Sequence, residues 1–348
     1  MENGGPQAIV IGAGPGGLAS AMLLAAEGVK TVVLERRDRV GGRTSALEAE
    51  GFRFDLGPTF FLYPPVLEEI FGACGRRLTD EVDMRRLDPQ YHLVFESGGE
   101  VRATPDVDRM QAQLRSIDPR DADALPRYLE DNRRKFKAFM PILQSPFNSW
   151  RDALRPGMMD SLPLVRPWSS VDRDLRRHFR DPRSRLAFSF QSKYLGMSPF
   201  RCPSLFTILA FMEYEYGVYH PIGGCSAVCE AMARVAREMG VDIRLNEPVE
   251  ELLFDERQIT GVRTDRQTYM SGQVVINADF AHAMSHLVPD RLRRRWTDRR
   301  IARKKFSCST FMMYLGIEGR YDDLEHHTIF LAEGYAQNLR DIEDLHGL

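Results

Sequence analysis

Ala8-Ile9-Val10-Ile11-Gly12-Ala13-Gly14-Pro15-Gly16-Gly17-Leu18 opens a stretch that continues through an alanine- and leucine-rich run to Gly28 and ends Thr31-Val32-Val33-Leu34-Glu35. Its first four residues form a short apolar run, the pattern of a strand covered on both faces of its sheet. Leu18 to Glu27 reads as a helix, and Gly28 as the residue that closes it. Thr31 to Leu34 is a second, β-branched strand. Strand, turn, helix and strand within about 30 residues make a βαβ unit, for which a right-handed crossover is expected. The predicted fold class is α/β, built on a Rossmann-like parallel sheet.

The turn inside that unit, Gly12-Ala13-Gly14-Pro15-Gly16-Gly17, fits G-x-G-x-x-G. The pattern gains meaning from its place after a strand and at the opening of a helix. Gly12 permits the tight turn, Gly14 lets the backbone approach a pyrophosphate, and Gly17 lets the helix pack on the strand. The helix N-terminus then offers unpaired N–H groups and a partial positive charge to the phosphates. Glu35 lies 23 residues after Gly12, at the end of the second strand. A carboxylate there accepts from both ribose hydroxyls and disfavours a 2′-phosphate. Arg36 and Arg37 come next; they either touch the cofactor or sit in a solvated loop.

Further out, the composition is that of an ordinary globular protein. The chain has 348 residues, 43% hydrophobic and 28% charged, with 47 Lys and Arg against 49 Asp and Glu. This near-neutral balance argues against a dedicated nucleic-acid binder, which carries a net basic face. Ala8 to Ala26 is an uncharged stretch of nineteen residues, close to the length of a membrane span. Its glycines and Pro15 break any helix placed across it, and the residues before it carry no Lys or Arg for a signal peptide. Cys74, Cys202, Cys225, Cys229 and Cys308 form no C-x-x-C, so neither a disulfide framework nor a zinc site is predicted, and a reducing cytosol fits. Cys225 and Cys229, four apart, read as small core residues on one helix face. No metal is expected.

From Pro119 to about Pro221 charged helical stretches such as Pro126 to Lys137 alternate with proline-broken apolar pieces, which predicts an inserted, mainly helical domain. Pro221-Ile222-Gly223-Gly224 then leads into a helix from Ser226 to Met239, closed by Gly240. A strand at Val241 to Leu245, the piece Val249 to Phe254, and a strand pair formed by Gly261 to Arg263 and Val274 to Ile276 are predicted to follow. Phe311 to Ile317 reads as a further strand opening a sheet close to Leu348, and a truncated chain is expected on that ground. Four segments result: a first cofactor-binding part over 1–105, a helical substrate or membrane domain over 106–215, a second cofactor-binding part over 216–290, and the start of a substrate-domain sheet over 291–348.

Two segments downstream of the first fingerprint separate flavin from nicotinamide. Arg39-Val40-Gly41-Gly42-Arg43 and then Phe54-Asp55-Leu56-Gly57-Pro58-Thr59 resemble the FAD-containing amine oxidase and phytoene desaturase superfamily. The resemblance implies FAD and a GR2-type FAD-binding domain, with Gly42 and Arg43 along the pyrophosphate and ribose. It adds Gly57, Pro58 and Thr59 to the cofactor set, and Val249, after Asn246-Glu247-Pro248, as the backbone that meets the adenine. A core valine gives the same pattern there. Two further glycines allow close backbone approach, and Arg43 can neutralise a phosphate.

Gly51 to Thr59, Asp118-Pro119-Arg120-Asp121, Trp150-Arg151-Asp152, Tyr216 to Tyr219 before Pro221-Ile222-Gly223-Gly224, Asn277-Ala278-Asp279, and His326-His327-Thr328-Ile329-Phe330 resemble, in that order, the bacterial-type carotenoid desaturases. The implied reaction introduces double bonds into phytoene or a C30 analogue (dehydrosqualene) by hydride transfer to flavin N5, with oxygen or a quinone as electron acceptor. Arg151 and Asp152 match a suggested acid–base position; a helix-capping Asp with a solvated Arg is the alternative. His326 and His327, adjacent on a predicted strand, face opposite sides and do not chelate one metal together. Tyr214, Tyr216 and Tyr219 read as core or as a polyene tunnel. Two other functions remain open: a flavin amine oxidase or protoporphyrinogen oxidase relative, and a non-catalytic binder of a prenyl or polyene ligand, like the prenyl-carrying GDP-dissociation inhibitors.

An apolar polyene implies contact with a membrane surface by a cytoplasmic, peripherally associated protein. Arg291 to Lys305 carries nine basic residues and one acid. Phe136, Phe139, Met140, Ile142, Leu143, Phe147 and Trp150 form an apolar stretch that serves either a lipid surface or a helical core.

Overall fold

The computed structural model describes residues 5–146, 149, 151–152, 163–164, 166–307 and 310–345. The chain divides into two compact units, Met1–Arg85 with Tyr219–Lys305 and Arg86–Val218 with Phe306–Leu348. Its crossings therefore fall at 85/86, 218/219 and 305/306.

In the first unit, strand β1 (Ala8–Ile11) runs into helix α1 (Pro15–Ala26) and returns as strand β2 (Thr31–Leu34). β1 and β2 pair in parallel, Ala8 opposite Thr31 and Ile11 opposite Leu34. Val274–Ile276 adds to the other side of β1, and Asp242–Arg244 to the far side of β2, both in parallel. Every residue of β1 and β2 is buried because successive side chains serve different layers. Val10 and Val33 pack with Leu18, Met22, Met232 and Val235 under the helices. Ile9, Ile11, Val32 and Leu34 pack with Leu252, Val262 and Tyr269 under an antiparallel three-stranded sheet. That sheet is formed by Val249–Asp255, Gln258–Thr264 and Thr268–Met270. The predicted strands at Gly261–Arg263 and Val274–Ile276 thus lie in different sheets.

Helix α1 begins at Pro15, three residues before the predicted start. Proline suits the first turn, where its missing N–H has no partner to lose. Strands β3 (Ala46–Ala49) and β4 (Phe52–Asp55) form a hairpin that pairs Ala46 with Asp55.

The second unit carries a three-stranded sheet in which Thr328–Leu331 runs parallel to Tyr91–Phe95, and Glu100–Ala103 runs antiparallel to it. Its longest helix, Pro119–Leu143, opens with Asp118 accepting from the Arg120 N–H. Leu125, Tyr128, Leu129, Asn132, Lys135 and Phe136 line its buried face at helical spacing. The helix runs through Pro126 without breaking: the Ala122 carbonyl, which Pro126 cannot serve, accepts from Gln111 Nε2 at 3.0 Å. Lys135, fully buried, donates to Asp174 at 3.0 Å and to Thr207 Oγ1 at 2.8 Å, while Arg166 donates to the other Asp174 oxygen at 2.6 Å. Burial lowers the Lys135 pKa; it works against the Asp174 charge as well, but Lys135 and Arg166 outweigh it and hold that carboxyl low.

Phe311 to Ile317 forms no strand. The run is irregular and exposed, Phe311 to 89%, and among the described residues no strand lies beside it to complete its backbone hydrogen bonds. Among the described residues no helix is long and apolar enough to cross a membrane.

Candidate cofactor site

The site lies in the first unit, at the carboxyl ends of its parallel strands. Gly12 comes directly after β1 with φ +98°, and a Cβ there would lie 2.5 Å from the Asn277 carbonyl oxygen. A Cβ on Gly17 would lie 2.0 Å from the Gly12 oxygen. Neither position tolerates a larger side chain without moving backbone, which is the close approach the fingerprint requires. Gly14 is the N-cap of α1, so the free N–H groups of the first turn face the cleft.

The second glycine pair packs against the first. Gly41 donates to the Ala13 carbonyl at 2.8 Å. A Cβ on Gly42 would lie 3.2 Å from the Gly14 Cα. Arg43 then projects from the short turn Gly42–Thr44 and is exposed. Among the described residues neither Arg36 nor Arg43 is paired with a carboxylate. Glu35 is buried; one carboxylate oxygen accepts from the Ala13 N–H at 2.8 Å and the other from the Arg37 N–H at 2.9 Å.

Opposite, the Glu247 N–H donates to the Glu35 carbonyl and the Asn246 N–H to the Arg37 carbonyl, both at 2.9 Å. The Glu247 side chain is buried and accepts from Tyr269 Oη at 2.8 Å and Thr264 Oγ1 at 3.0 Å. These bonds bring Pro248 and Val249 to the cleft wall.

Between these walls lies a cavity of about 640 Å³. Gly12, Gly14, Glu35, Arg36, Gly42, Arg43 and Val249 all line it, together with Asn277, Asp279 and His282. Gly17 supports the turn from behind, and Gly57, Pro58 and Thr59 lie off this cavity. A Cβ on Gly57 would meet the Arg43 carbonyl oxygen at 2.2 Å, so the Gly57 segment braces the Arg43 turn from outside. Asn277 is the main site residue that the glycine fingerprint does not announce. It comes directly after the strand Val274–Ile276, donates its N–H to the Ile11 carbonyl at 2.9 Å and sits beneath the glycine turn. Its signal is its position at the end of the strand that pairs with β1, a pairing that no local pattern reveals.

Asp55, a ring nitrogen of His220 and the Cys225 sulfur come within 4.8 Å of one another, a grouping that spacing in the sequence does not suggest. Both Asp55 oxygens accept from the Cys225 N–H. Burial and the neighbouring Asp55 carboxylate push the Cys225 thiol up, which keeps it protonated.

In the second unit, the Asp152 carboxylate accepts from the Ser149 N–H at 2.8 Å, and the Asp152 N–H donates to the Ser149 carbonyl at 3.1 Å. Arg151 beside it is exposed. Trp150, Phe147 and Cys308 lie outside the described residues. Phe136 and Ile142 of the apolar stretch are buried in the helical core, and Leu143 is exposed. Tyr214 is buried and Tyr216 packs on Phe136. His326 and His327 precede the strand Thr328–Leu331 instead of lying on it, so their rings do not face opposite sides: the centroids are 4.4 Å apart and the Nδ1 atoms 3.0 Å apart. Glu213, which no motif singles out, is completely buried. It accepts from Tyr91 Oη and Gln191 Nε2 at 2.8 Å and from Tyr194 Oη at 3.0 Å. Burial pushes its carboxyl up to about 7, and these three donors pull it down only in part.

The fold and cleft define a dinucleotide-binding α/β protein. Residues 15–309 match the family described as flavin containing amine oxidoreductase. The 4,4'-diapophytoene desaturase (4,4'-diapolycopene-forming) of a Methylomonas species is 40% identical over 337 residues, 97% of this chain and 66% of that relative. The all-trans-zeta-carotene desaturase of Myxococcus xanthus is 37% identical over 97% of this chain and 65% of its own length. The phytoene desaturase (lycopene-forming) of Pseudescherichia vulneris is 35% identical over 96% and 68% respectively. The chain spans about two thirds of the length of these relatives. Among solved structures, putrescine oxidase bound to putrescine shares the fold with a TM-score of 0.57 at 19% identity, covering 83% of this chain and 62% of that one. The RAB GDI of Plasmodium falciparum shares it with a TM-score of 0.53 at 14% identity, covering 81% and 67%.

The chain therefore belongs to the flavin containing amine oxidoreductase family, in its carotenoid and phytoene desaturase branch. Its cofactor is FAD. The cleft fits that group. Its glycine turns would be filled by any Cβ, a helix N-terminus faces it, and two guanidiniums without carboxylate partners among the described residues stand at its rim.

Proposed function

We propose that this chain carries the FAD-binding part and much of the substrate part of a desaturase acting on a C30 or C40 polyene. The observation that carries this reading is the meeting of Gly14 and Gly42 at the start of α1, beside Glu35 and Arg43, in a chain 40% identical to a diapophytoene desaturase.

Bound FAD supplies the two-electron acceptor for converting a saturated CH–CH pair into a double bond. The chain's own residues hold and orient it. The N–H groups of the first α1 turn, with Arg36 and Arg43, take the pyrophosphate charge. Glu35 receives the adenosine ribose hydroxyls, and the Pro248–Val249 backbone meets the adenine. Gly57 braces the Arg43 turn, and Pro58 and Thr59 belong with it to the cofactor-binding set. Arg151 and Asp152 serve the proton released from the substrate, and oxygen or a quinone takes the electrons in turn. An apolar substrate gives the protein little to grip except shape, so excluding water is its other task.

Such a substrate is drawn from lipid, and we assign peripheral membrane contact to Arg291 to Lys305. Each basic side chain near anionic lipid contributes about 1 kcal/mol. Several of the nine already have partners within the protein: Arg293 is paired with Asp298 and Asp290, Arg291 donates to the Glu256 carbonyl, and Arg300 to the Arg295 carbonyl.

The test is the visible spectrum of the purified chain after addition of FAD and removal of the excess, and then turnover of diapophytoene and of phytoene in liposomes under air, with putrescine as the competing substrate. A retained, protein-shifted flavin band and a red-shifted polyene product support the reading. Oxidation of the amine alone points to an amine oxidase, and a colourless protein to a flavin-free binder.

A further inference from the structure

The hairpin beyond the Arg43 turn is latched to a helix far along the chain. The Asp55 oxygens accept from the Cys225 N–H at 2.9 and 3.0 Å, 170 residues away. Two residues earlier on the same strand face, Arg53 donates to Ser226 Oγ at 2.6 Å and to Glu230 Oε1 at 2.5 Å. Gly223 and Gly224 take φ +91° and +88°, and a Cβ on Gly224 would lie 2.8 Å from the Asp55 Oδ1. The glycine pair ahead of the Ser226–Glu238 helix is thus shaped around a carboxylate from within the protein. On its other side Asp55 leads directly to the cleft: the Leu56 N–H donates to the Ser45 carbonyl at 3.0 Å, and Gly57 rests on the Arg43 carbonyl.

We propose that Asp55 is a positioning residue for the flavin, which sets the Arg43 turn from outside the cleft by anchoring the Leu56–Gly57 segment to the start of the Ser226–Glu238 helix. Asp55 touches no cofactor atom in this scheme; it acts through Arg43. The inference rests on the FAD-binding reading of the cleft.

The experiment is a double-mutant cycle on the full chain, reading the FAD dissociation constant by flavin fluorescence and the melting temperature of the apoprotein. Asp55→Ala and Arg43→Ala are each expected to weaken FAD about tenfold. The double variant is expected to lose about tenfold as well, because the Asp55 effect travels through Arg43. Gly224→Ala, which crowds the carboxylate from the helix side, should reproduce the Asp55→Ala loss, and Asp55→Asn, which keeps an acceptor for the Cys225 N–H, should restore part of it. If Asp55→Ala does not fold, Asp55→Asn in the two Arg43 backgrounds carries the same cycle. A hundredfold loss in the double variant overturns the proposal. So does a lowered melting temperature with FAD binding within twofold of the parent. A parent chain that retains no flavin overturns the cofactor reading itself, and this proposal with it.

Discussion

Asn277 closes on Gly12 so tightly that a single added methyl at Gly12 would fall 2.5 Å from the Asn277 carbonyl oxygen. The floor of the cleft is therefore backbone against backbone, with no side chain able to yield. The same holds at Gly17, whose missing Cβ would lie 2.0 Å from the Gly12 oxygen. Gly17→Ala is expected to destabilise the first unit by about 2–4 kcal/mol through forced backbone movement. Urea unfolding monitored by circular dichroism measures the loss, and flavin retention should fall with it.

Arg36 and Arg43 stand at the rim without carboxylate partners among the described residues. Arg36→Ala should weaken FAD by about 1–2 kcal/mol, which is roughly five- to thirtyfold. The loss should shrink as salt is raised, since charge attraction at an exposed rim is screened. Flavin binding in 50 and 500 mM salt, taken as rough extremes, checks both expectations.

The buried Glu213 predicts a pH dependence of opposite sense to that of a salt-bridged acid. Its carboxyl stands near 7 in the fold against 4.5 ordinarily, because burial disfavours the charge. The stability it contributes is therefore complete below pH 4.5 and is lost as pH rises through about 7. A rise of that size corresponds to a loss on the order of 3 kcal/mol. Glu213→Gln keeps the shape and removes the ionisation. Melting temperatures from pH 4.5 to 8 should diverge in favour of the variant as pH rises, and parallel curves would refute the assignment.

Lys135 is expected to be costly to remove. Truncating it leaves Asp174 and Thr207 buried with one donor fewer, and breaking one partner of a buried pair typically costs about 3–5 kcal/mol. Lys135→Met should lower stability by that order, while Lys137→Met, at an exposed position two residues on, should change it by less than about 0.5 kcal/mol.

The parts of the fold readable from sequence are those written locally. β1, the glycine turn and β2 each declare themselves within a few residues, and the lining of the cleft by Gly12, Gly14 and Glu35 derives from that grammar, whereas Gly42 and Arg43 enter through the family resemblance and Arg36 is left open by the local pattern. Helix α1 is longer than its apolar run because Pro15 to Gly17 carry no hydrophobic signal yet satisfy the first turn. Asn277 and the Asp55–Cys225 contact depend on pairings 265 and 170 residues apart, and neither spacing nor composition encodes them. Phe311 to Ile317 shows the reverse error. Its pattern suits a strand, but a strand also needs a neighbour, and sequence pattern reports only the first condition.

The pairing of Val274–Ile276 with β1 has a consequence for synthesis. The nascent chain emerges with β1 first, yet that strand keeps one edge bare until residue 276 has left the ribosome. At about 5–20 residues per second this takes roughly fifteen seconds to a minute. Over that interval Ile9 and Ile11 lack the sheet and side-chain cover they later receive. The cell must shield the hydrophobic strand for that time, so a mutation that slows translation ahead of residue 276 should lower the yield of soluble protein without altering any contact of the finished molecule.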